Sequence, residues 1–156
     1  MNLSTDQPDH TSRVGHAHAP TGRRIRLRFG RSSRLRRRRD FDRVFGLRCS
    51  VADERIVVYA APNGLNATRL GMSVSRKIGN AVKRNRIKRL IREAFRRARP
   101  ELPGAIDIVV VARPNDEPRF DDYRLSLKRL VTNVADKLER RGLRTPPKHE
   151  GTRHDT

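Results

Sequence analysis

The segment from Lys83 to Arg99 combines nine cations with a single acid, Glu93. Arg and Lys donate charge-assisted hydrogen bonds to phosphate oxygens, and the Arg guanidinium can form two such bonds in parallel. Like charges four residues apart destabilise an isolated helix by roughly 0.2–0.5 kcal/mol per pair. A solvated helix face would interleave acids with its cations, and this segment does not. It therefore predicts a surface that binds a polyanion.

Eight side chains in or just before this segment are the predicted contacts: Arg76, Lys77, Arg84, Asn85, Arg86, Lys88, Arg89 and Arg92. Arg84, Lys88 and Arg92 recur every four residues and so share one flank of a helix, whereas Arg86 and Arg89 occupy another. Asn85 both donates and accepts hydrogen bonds, which suits a base edge, a ribose 2′-hydroxyl or a water on a metal ion. The helix start after Gly79-Asn80 also favours phosphate, because the first N–H groups of a helix have no partner within it.

Side chains that could hydrolyse a substrate are scarce by comparison. A protein nuclease needs clustered carboxylates to hold metal ions, or paired His residues for acid–base chemistry. Asp107 stands alone on a predicted strand, and four further acids lie in a loop and a helix start: Asp116, Glu117, Asp121 and Asp122. All five His fall in the predicted tails, at positions 10, 16, 18, 149 and 154. We therefore predict no catalytic residue and no metal site in this polypeptide.

The formal net charge of +20 on 156 residues extends the same conclusion to the whole chain. So much self-repulsion costs stability unless a polyanion neutralises it. All but six of the 37 cations are Arg, which favours nucleic acid over a lipid surface, although a GC-rich genome would also enrich Arg codons. No window of the sequence approaches the run of about 20 apolar residues that crosses a membrane.

The terminal composition and the single cysteine bear on location in the cell. The basic N-terminus is not followed by an apolar segment, so we do not expect a secretory signal, while a transit peptide stays an alternative. Cys49 is the only cysteine, which excludes an internal disulfide and is compatible with a reducing cytoplasm. We expect a cytoplasmic protein in which Cys49 is a small buried apolar residue.

Composition divides the chain into three parts. Residues 1–33 are rich in Gly, Pro, Ser, Thr, His and Arg and cannot bury enough surface to offset their ordering entropy, so we predict a disordered basic arm. This arm either contacts phosphate nonspecifically or serves as a solubilising tail, and the sequence leaves both open. The folded domain is predicted over residues 34–142, and residues 143–156 form a polar, disordered tail.

Hydrophobic periodicity predicts the helices and strands that surround the cationic segment. Phe41, Val44 and Phe45, at i, i+3 and i+4, predict a short helix, and Asn80 is a suitable N-cap for the long cationic helix. The elements are helix, two or three strands, helix, strand and helix, over 40–45, 51–61, 68–75, 81–99, 106–112 and 121–141. This order predicts one α+β domain with a small sheet and helices packed on it.

Four apolar or aromatic residues allow two interpretations: Phe41, Phe45, Val57 and Tyr59. Small domains normally bury such residues, and from the residues alone the core interpretation is preferred. If one face of the sheet is uncovered, its aromatic rings would instead stack on unpaired bases.

The run from Arg69 to Glu93, RLGMSVSRKIGNAVKRNRIKRLIRE, closely resembles the protein subunit of bacterial ribonuclease P. Supporting segments match in the same order, from Arg34-Leu35 and the short helix at Asp40-Phe41 to the IDIVVVARP strand and the last helix. The resemblance covers roughly residues 34–140, and the RNR block with its preceding KIGNAV is its most specific part.

The resemblance implies an αβββαβα sandwich with one four-stranded sheet and a left-handed βαβ crossover, against the usual right-handed rule. It also implies a function: pairing with a catalytic RNA that removes the 5′ leader of precursor tRNA, with Mg²⁺ held mainly by the RNA. The RNR residues and their neighbours would contact RNA. A central cleft would hold the leader, at Phe41, Phe45, Val57, Tyr59, Ser73 and Lys77. On this basis the stacking interpretation of the two Phe residues replaces the core interpretation.

Two positions depart from the family pattern. Arg48 stands where Gly is frequent, so the turn after the first helix is expected to differ, and Ile56 stands where an aromatic residue is common, which would weaken stacking at one edge of the cleft.

Two other functions compete with ribonuclease P. One is a noncatalytic RNA-binding module such as a ribosomal protein or RNA chaperone, and the other, weakest, is a DNA-binding protein, for which no helix-turn-helix spacing is evident.

Overall fold

The computed structural model describes residues 29–114 and 119–144. Three helices and four strands follow one another in the predicted order: α1 (Arg38–Gly46), β1 (Ser50–Ala52), β2 (Ile56–Pro62), β3 (Arg69–Ser73), α2 (Ala81–Ala98), β4 (Ile106–Ala112) and α3 (Phe120–Arg140). The α+β class and the αβββαβα order are confirmed. The single strand predicted over 51–61 is two strands, because Asp53 Oδ1 accepts hydrogen bonds from the N–H groups of Arg55 and Ile56, each at 2.9 Å, and closes a turn between them.

The four strands form one mixed sheet in the order β1-β2-β4-β3. β2 pairs antiparallel with both β1 and β4, whereas β3 and β4 pair parallel, so α2 is the crossover between two neighbouring parallel strands. The left-handed sense of this crossover stays a prediction from the family resemblance. None of the described helices is long and apolar enough to span a membrane.

The described part of the chain begins at Phe29, five residues before the predicted boundary. The Phe29 ring packs edge-on against Phe95 with 5.6 Å between ring centroids, and Ser33 is buried. At the other end, Gly142 adopts φ 67° and the N–H of Leu143 donates to the carbonyl of Leu138 at 3.0 Å, which ends α3 as predicted. The predictions for residues 1–28 and 145–156 lie outside the described residues.

The main core lies between one face of the sheet and the helices α2 and α3. Alternate residues of β2 (Ile56, Val58, Ala60) and β4 (Ile106, Ile108, Val110) point into it, as the two-residue period of a strand requires. Ile87, Ile91, Ala94 and Phe95 of α2 complete it, together with Cys49, whose predicted burial is confirmed.

Two predictions about apolar residues are wrong. The apolar residues of the last helix predict one buried stripe that includes Leu125 with Leu127 and Leu130, but Leu125 is 60% exposed, because it lies two residues, or about 200° around the helix, from buried Leu127. Ile56 was placed at the edge of the cleft, but it is buried under the helices on the opposite face of the sheet. Its departure from the family pattern therefore does not weaken the cleft.

Arg48, in the turn after α1, adopts φ 51°, the left-handed region that Gly favours, and the expected difference from the family's turn stays a prediction. A side chain in this left-handed region costs roughly 1–2 kcal/mol. Gly removes this strain but also increases the conformational entropy of the unfolded chain, which offsets part of the gain. We therefore expect Arg48→Gly to raise the free energy of unfolding by about 0.5–1 kcal/mol in chemical denaturation. Arg48→Ala keeps the strain and serves as the control; equal stabilities of the Gly and Ala variants would contradict the prediction.

Candidate nucleic-acid interface

The face of the sheet opposite the main core carries three rows of side chains. Strand register aligns the rows across β2, β4 and β3: Val57–Val111–Ser73, Tyr59–Val109–Gly71 and Ala61–Asp107–Arg69. Because side chains alternate along a strand, these residues all point toward α1. The first row of this face is therefore largely apolar, whereas the third row contains an acid and a cation.

Helix α1 covers the second and third rows. Its Val44 is buried in a small cluster with Leu35, Ala61 and Val109. The Phe41 ring lies directly on Gly71, where an added Cβ would come within 2.8 Å of the ring, so the missing side chain makes room for it. These contacts fix α1 over one half of the sheet only.

The first row lies beside α1, and we call the surface formed by this row and the Phe41, Phe45 and Tyr59 rings the cleft. Val57, Val111 and Ser73 are half-buried, and the Phe45 ring meets Tyr59 edge-on with a centroid distance of 4.9 Å. Five residues predicted for the leader site are thus brought together: Phe41, Phe45, Val57, Tyr59 and Ser73. Val111 completes the cleft and was missed, since the IDIVVVA run is apolar at every position but one and only the strand register shows which of its residues face α1.

Local capping sets where the cationic helix begins. Asn80 is the N-cap of α2, and its side-chain oxygen accepts from the N–H of Lys83 at 2.9 Å, as predicted. In the preceding turn, Ser75 Oγ accepts from the N–H of Lys77 at 3.1 Å. Arg84 Nη1 donates to the carbonyl of Gly79 at 3.0 Å, which holds that guanidinium beside the helix start.

The predicted contacts on α2 divide into two flanks. Asn85, Arg86 and Arg89 are exposed, as are Arg76 and Lys77 in the turn, whereas Arg84, Lys88 and Arg92 are half-buried. Within residues 29–114 and 119–144, no carboxylate forms an ion pair with any of these seven cations, which we call the cationic face. Their positive charge is therefore available to a partner.

The half-buried flank of the cationic face meets the cleft side of the molecule in a small pocket. This pocket, of about 200 Å³, lies along β3 and is lined by Lys88, Arg92 and Phe41 together with Arg34 and Arg36. Burial, followed by the charges of Arg34 and Arg89, lowers the pKa of Arg92, as expected where cations crowd together. Arg34 and Arg36 were not among the predicted contacts, although the run of five Arg in residues 34–39 pointed to them.

Glu93, the one acid of α2, is used away from the cationic face. Its carboxylate accepts from Arg96 at 2.6 and 2.9 Å and from Arg97 at 2.9 Å. The Arg96 hydrogen bonds, then that of Arg97, lower the pKa of Glu93 from 4.5 to about 2. The acid thus pairs with the end of the helix that lies farthest from the RNR block.

The lowered pKa predicts a pH dependence of stability. A carboxyl group with a depressed folded-state pKa stabilises the fold above its ordinary pKa of 4.5, and this contribution is lost as the pH falls toward 2. The free energy of unfolding of the wild type should therefore fall further between pH 4.5 and 2 than that of Glu93→Gln. Salt should shrink the difference, because the side chain is 38% exposed. Parallel pH profiles for the two proteins would refute this.

A cleft that contains the Phe45 and Tyr59 rings, beside a cationic face whose seven cations have no acidic partner among the described residues, is typical of an α+β protein that binds a polyanion. The chain matches the family model described as Ribonuclease P over residues 29–135. It is 39% identical over 125 residues to the ribonuclease P protein component of Brevibacillus brevis, covering 79% of this chain and 94% of that protein. The chain belongs to the ribonuclease P protein family, as the protein component of the bacterial enzyme.

Further relatives and solved structures agree. Identity to the ribonuclease P protein component of Thermotoga sp. (strain RQ2) is 44% over 112 residues, 71% of this chain and 96% of that protein. The fold matches the ribonuclease P protein of Thermotoga maritima with a TM-score of 0.60 and 39% identity, over 64% of this chain and 96% of that one. The Staphylococcus aureus protein gives a TM-score of 0.58 and 38% identity, over 65% and 94% of the two chains.

Proposed function

We propose that this protein binds the catalytic RNA of ribonuclease P and the 5′ leader of precursor tRNA, and so promotes Mg²⁺-dependent endonucleolytic removal of the leader. The observation that carries the proposal is the cationic face, seven cations without an acidic partner among the described residues, together with the half-buried cleft that contains the Phe45 and Tyr59 rings. A folded RNA supplies the dense phosphate that such a face requires. An unpaired leader supplies bases that can stack on exposed rings.

The two surfaces take different parts of the RNA. Arg86, Arg89 and Asn85 project from an exposed helix flank, which suits docking on the backbone of a large structured RNA. The cleft is partly apolar and contains aromatic rings, which suits a single strand whose bases are not paired. The pocket lined by Lys88, Arg92 and Phe41 joins the two surfaces, so leader and catalytic RNA would lie side by side.

Hydrolysis is assigned to the RNA partner. The described residues contain no group of three or more His, Cys, Asp or Glu side chains placed to hold a metal ion, so they do not offer a donor set for Mg²⁺. Phosphate and base oxygens of the RNA are hard ligands of the kind that Mg²⁺ prefers. The polypeptide would then be the noncatalytic subunit of an endoribonuclease in the cytoplasm.

Reconstitution with a bacterial ribonuclease P RNA tests the proposal. At low Mg²⁺, where the RNA alone is slow, the protein should increase the rate of leader cleavage from precursor tRNA. An unrelated protein of similar size and net charge is the control for nonspecific neutralisation. No gain over that control would sink the proposal.

A noncatalytic RNA-binding module is the competing function, favoured by the high net charge alone. It predicts binding to many structured RNAs with equal affinity for leader-bearing precursor and mature tRNA. A preference for the precursor in the reconstituted complex would exclude it.

A further inference from the structure

Asp107 occupies the middle of the third row and its side chain is fully buried. Four side-chain hydrogen bonds reach its carboxylate. Arg69 donates from Nε at 2.7 Å and from Nη2 at 2.6 Å, and Asn63 donates from Nδ2 at 3.0 Å. Arg43 Nη2 supplies the fourth. A buried carboxylate requires such partners, because a buried charge that is left unpaired strongly destabilises the fold.

These donors come from three different parts of the fold. Arg69 belongs to β3 and Asn63 to the turn between β2 and β3, where Asn63 also bonds the carbonyl of Ala67 at 2.9 Å. Arg43 belongs to α1 and also donates to the carbonyl of Pro62. We call these four residues, Arg43, Asn63, Arg69 and Asp107, the Asp107 anchor. It ties α1 to the sheet by directional bonds.

Charge around the anchor is balanced once the neighbouring Asp40 is included, although the chain as a whole is strongly basic. Arg69 Nη2 lies 3.9 Å from Asp40 of α1, so two cations, Arg43 and Arg69, face two acids. The hydrogen bonds that Arg69 donates to Asp107 raise the pKa of Arg69. Arg43 and Arg69 are therefore engaged internally, in contrast with the cationic face.

Helix α1 depends on contacts of this kind for its position. It has nine residues, its N-cap Arg37 makes no side-chain capping bond, and the strained Arg48 follows it. Helices this short are marginal without tertiary support. The apolar contacts of Val44 hold α1 on the sheet but are non-directional, so they resist lifting more than rotation or sliding. Hydrogen bonds require a defined direction and length.

We infer that Arg43 is a positioning residue for leader recognition: bound to buried Asp107, it sets the rotation and axial position of α1 and thereby places Phe41 and Phe45 along the cleft. The effect on leader recognition rests on the proposed function, whereas the anchoring of α1 is a property of the free protein. This positioning role distinguishes Arg43 from a residue that binds RNA directly, although Arg43 is a partly exposed Arg in a basic chain.

Arg43→Met tests the inference, with Arg38→Met as the matched control. Both variants remove one cation from α1, but Arg38 is 94% exposed and, within residues 29–114 and 119–144, its ion pair is with Asp42 at 3.7 Å. Asp107 keeps three hydrogen bonds in Arg43→Met, so the sheet retains its buried acid in a paired state. In the reconstituted complex, we expect Arg43→Met to lower the preference for precursor over mature tRNA by roughly fivefold. Arg38→Met should leave that preference unchanged, and Arg43→Lys should restore part of it.

A double-mutant cycle with Phe41→Ala separates positioning from direct contact. If Arg43 acts through the ring, Arg43→Met should cause little further loss of preference in the Phe41→Ala background. An equal loss of affinity for precursor and mature tRNA, with a salt slope lower by about one unit, would make Arg43 a phosphate ligand and overturn the inference. An unchanged preference would overturn it as well.

Amide hydrogen exchange of the free protein tests the anchor without RNA. Exchange of the amides of residues 42–46 should be about fivefold faster in Arg43→Met than in Arg38→Met, with α2 unchanged in both. If Arg43→Met does not fold, the same comparison is made with Arg43→Lys. Equal protection of α1 overturns the inference even if the protein promotes cleavage. Failure of the wild type to promote cleavage would instead overturn the proposed function and leave the exchange result standing.

Discussion

Phe41→Ala is expected to weaken binding of leader-bearing precursor tRNA by about 1–3 kcal/mol and to leave binding of mature tRNA unchanged. The ring is half-buried, lies on Gly71 and lines the pocket beside Lys88 and Arg92. It therefore has one side packed on the sheet and another available for a base. Equilibrium binding of the two tRNAs to the reconstituted complex measures the difference.

Phe120→Ala is the matched control for lost apolar packing. Phe120 is also half-buried, but it begins α3 and packs under the guanidinium of Arg97, 4.8 Å from the ring centroid, outside the cleft. It should change stability without changing the preference for precursor tRNA. If Phe41→Ala weakens the binding of precursor and mature tRNA equally, Phe41 is a core residue.

Gly71→Ala perturbs the same ring without removing it. The added Cβ would lie 2.8 and 2.9 Å from two Phe41 ring carbons and 3.2 Å from Leu35 Cβ, so the ring must shift. We expect a selective loss for precursor tRNA, in the same direction as for Phe41→Ala but smaller, in the same binding assay. Unaltered selectivity would show that the position of the ring does not matter to the leader.

Arg84→Ala and Arg86→Ala are each expected to lower the affinity for the catalytic RNA and to reduce the salt slope of binding by about one unit. The slope counts phosphates neutralised, so it identifies a phosphate contact more directly than affinity does. Arg86 is exposed, whereas Arg84 is held at the helix start by its bond to Gly79. Binding measured over a range of salt concentrations gives both quantities.

Arg97→Ala provides the control on the same helix. Arg97 is already paired with Glu93 at 2.9 Å, so it should contribute less to the slope than an unpaired Arg. If the slope is unchanged in Arg84→Ala and Arg86→Ala, these residues lie away from phosphate. Equal changes in all three variants would show that the total charge, and not the cationic face, determines binding.

The sequence predicted those elements whose signals are local. The β-branched run at Ile106–Ala112 has the bounds of β4, and Asn80 caps α2 as its type suggests. Leu125 was misplaced because an apolar residue near a helix stripe looks like part of it until the contact with the sheet is known. The break between β1 and β2 depends on hydrogen bonds to Asp53 that periodicity does not register.

The site was predictable where charge alone defines it and not where pairing between strands does. The cationic face followed from the lack of acids around the RNR block. Val111 was omitted from the cleft and Ile56 was assigned to the wrong face of the sheet, because both assignments require the strand register. A shift of one residue moves a side chain to the other face. The Asp107 anchor joins residues 64 positions apart in sequence, Arg43 and Asp107, and no local pattern marks such a contact.

The segment from Phe29 to Arg37, which precedes α1, determines how the protein can be shortened. Leu35 N–H donates to the carbonyl of Leu70 at 3.0 Å, so this segment covers part of the outer edge of β3, the last strand of the sheet. Uncovered strand edges template pairing between molecules. A truncation that starts at the first residue of α1 would expose this edge and also remove Phe29 from Phe95. Expression of the domain for crystallisation should therefore start at or before residue 29, or self-association will accompany loss of the segment.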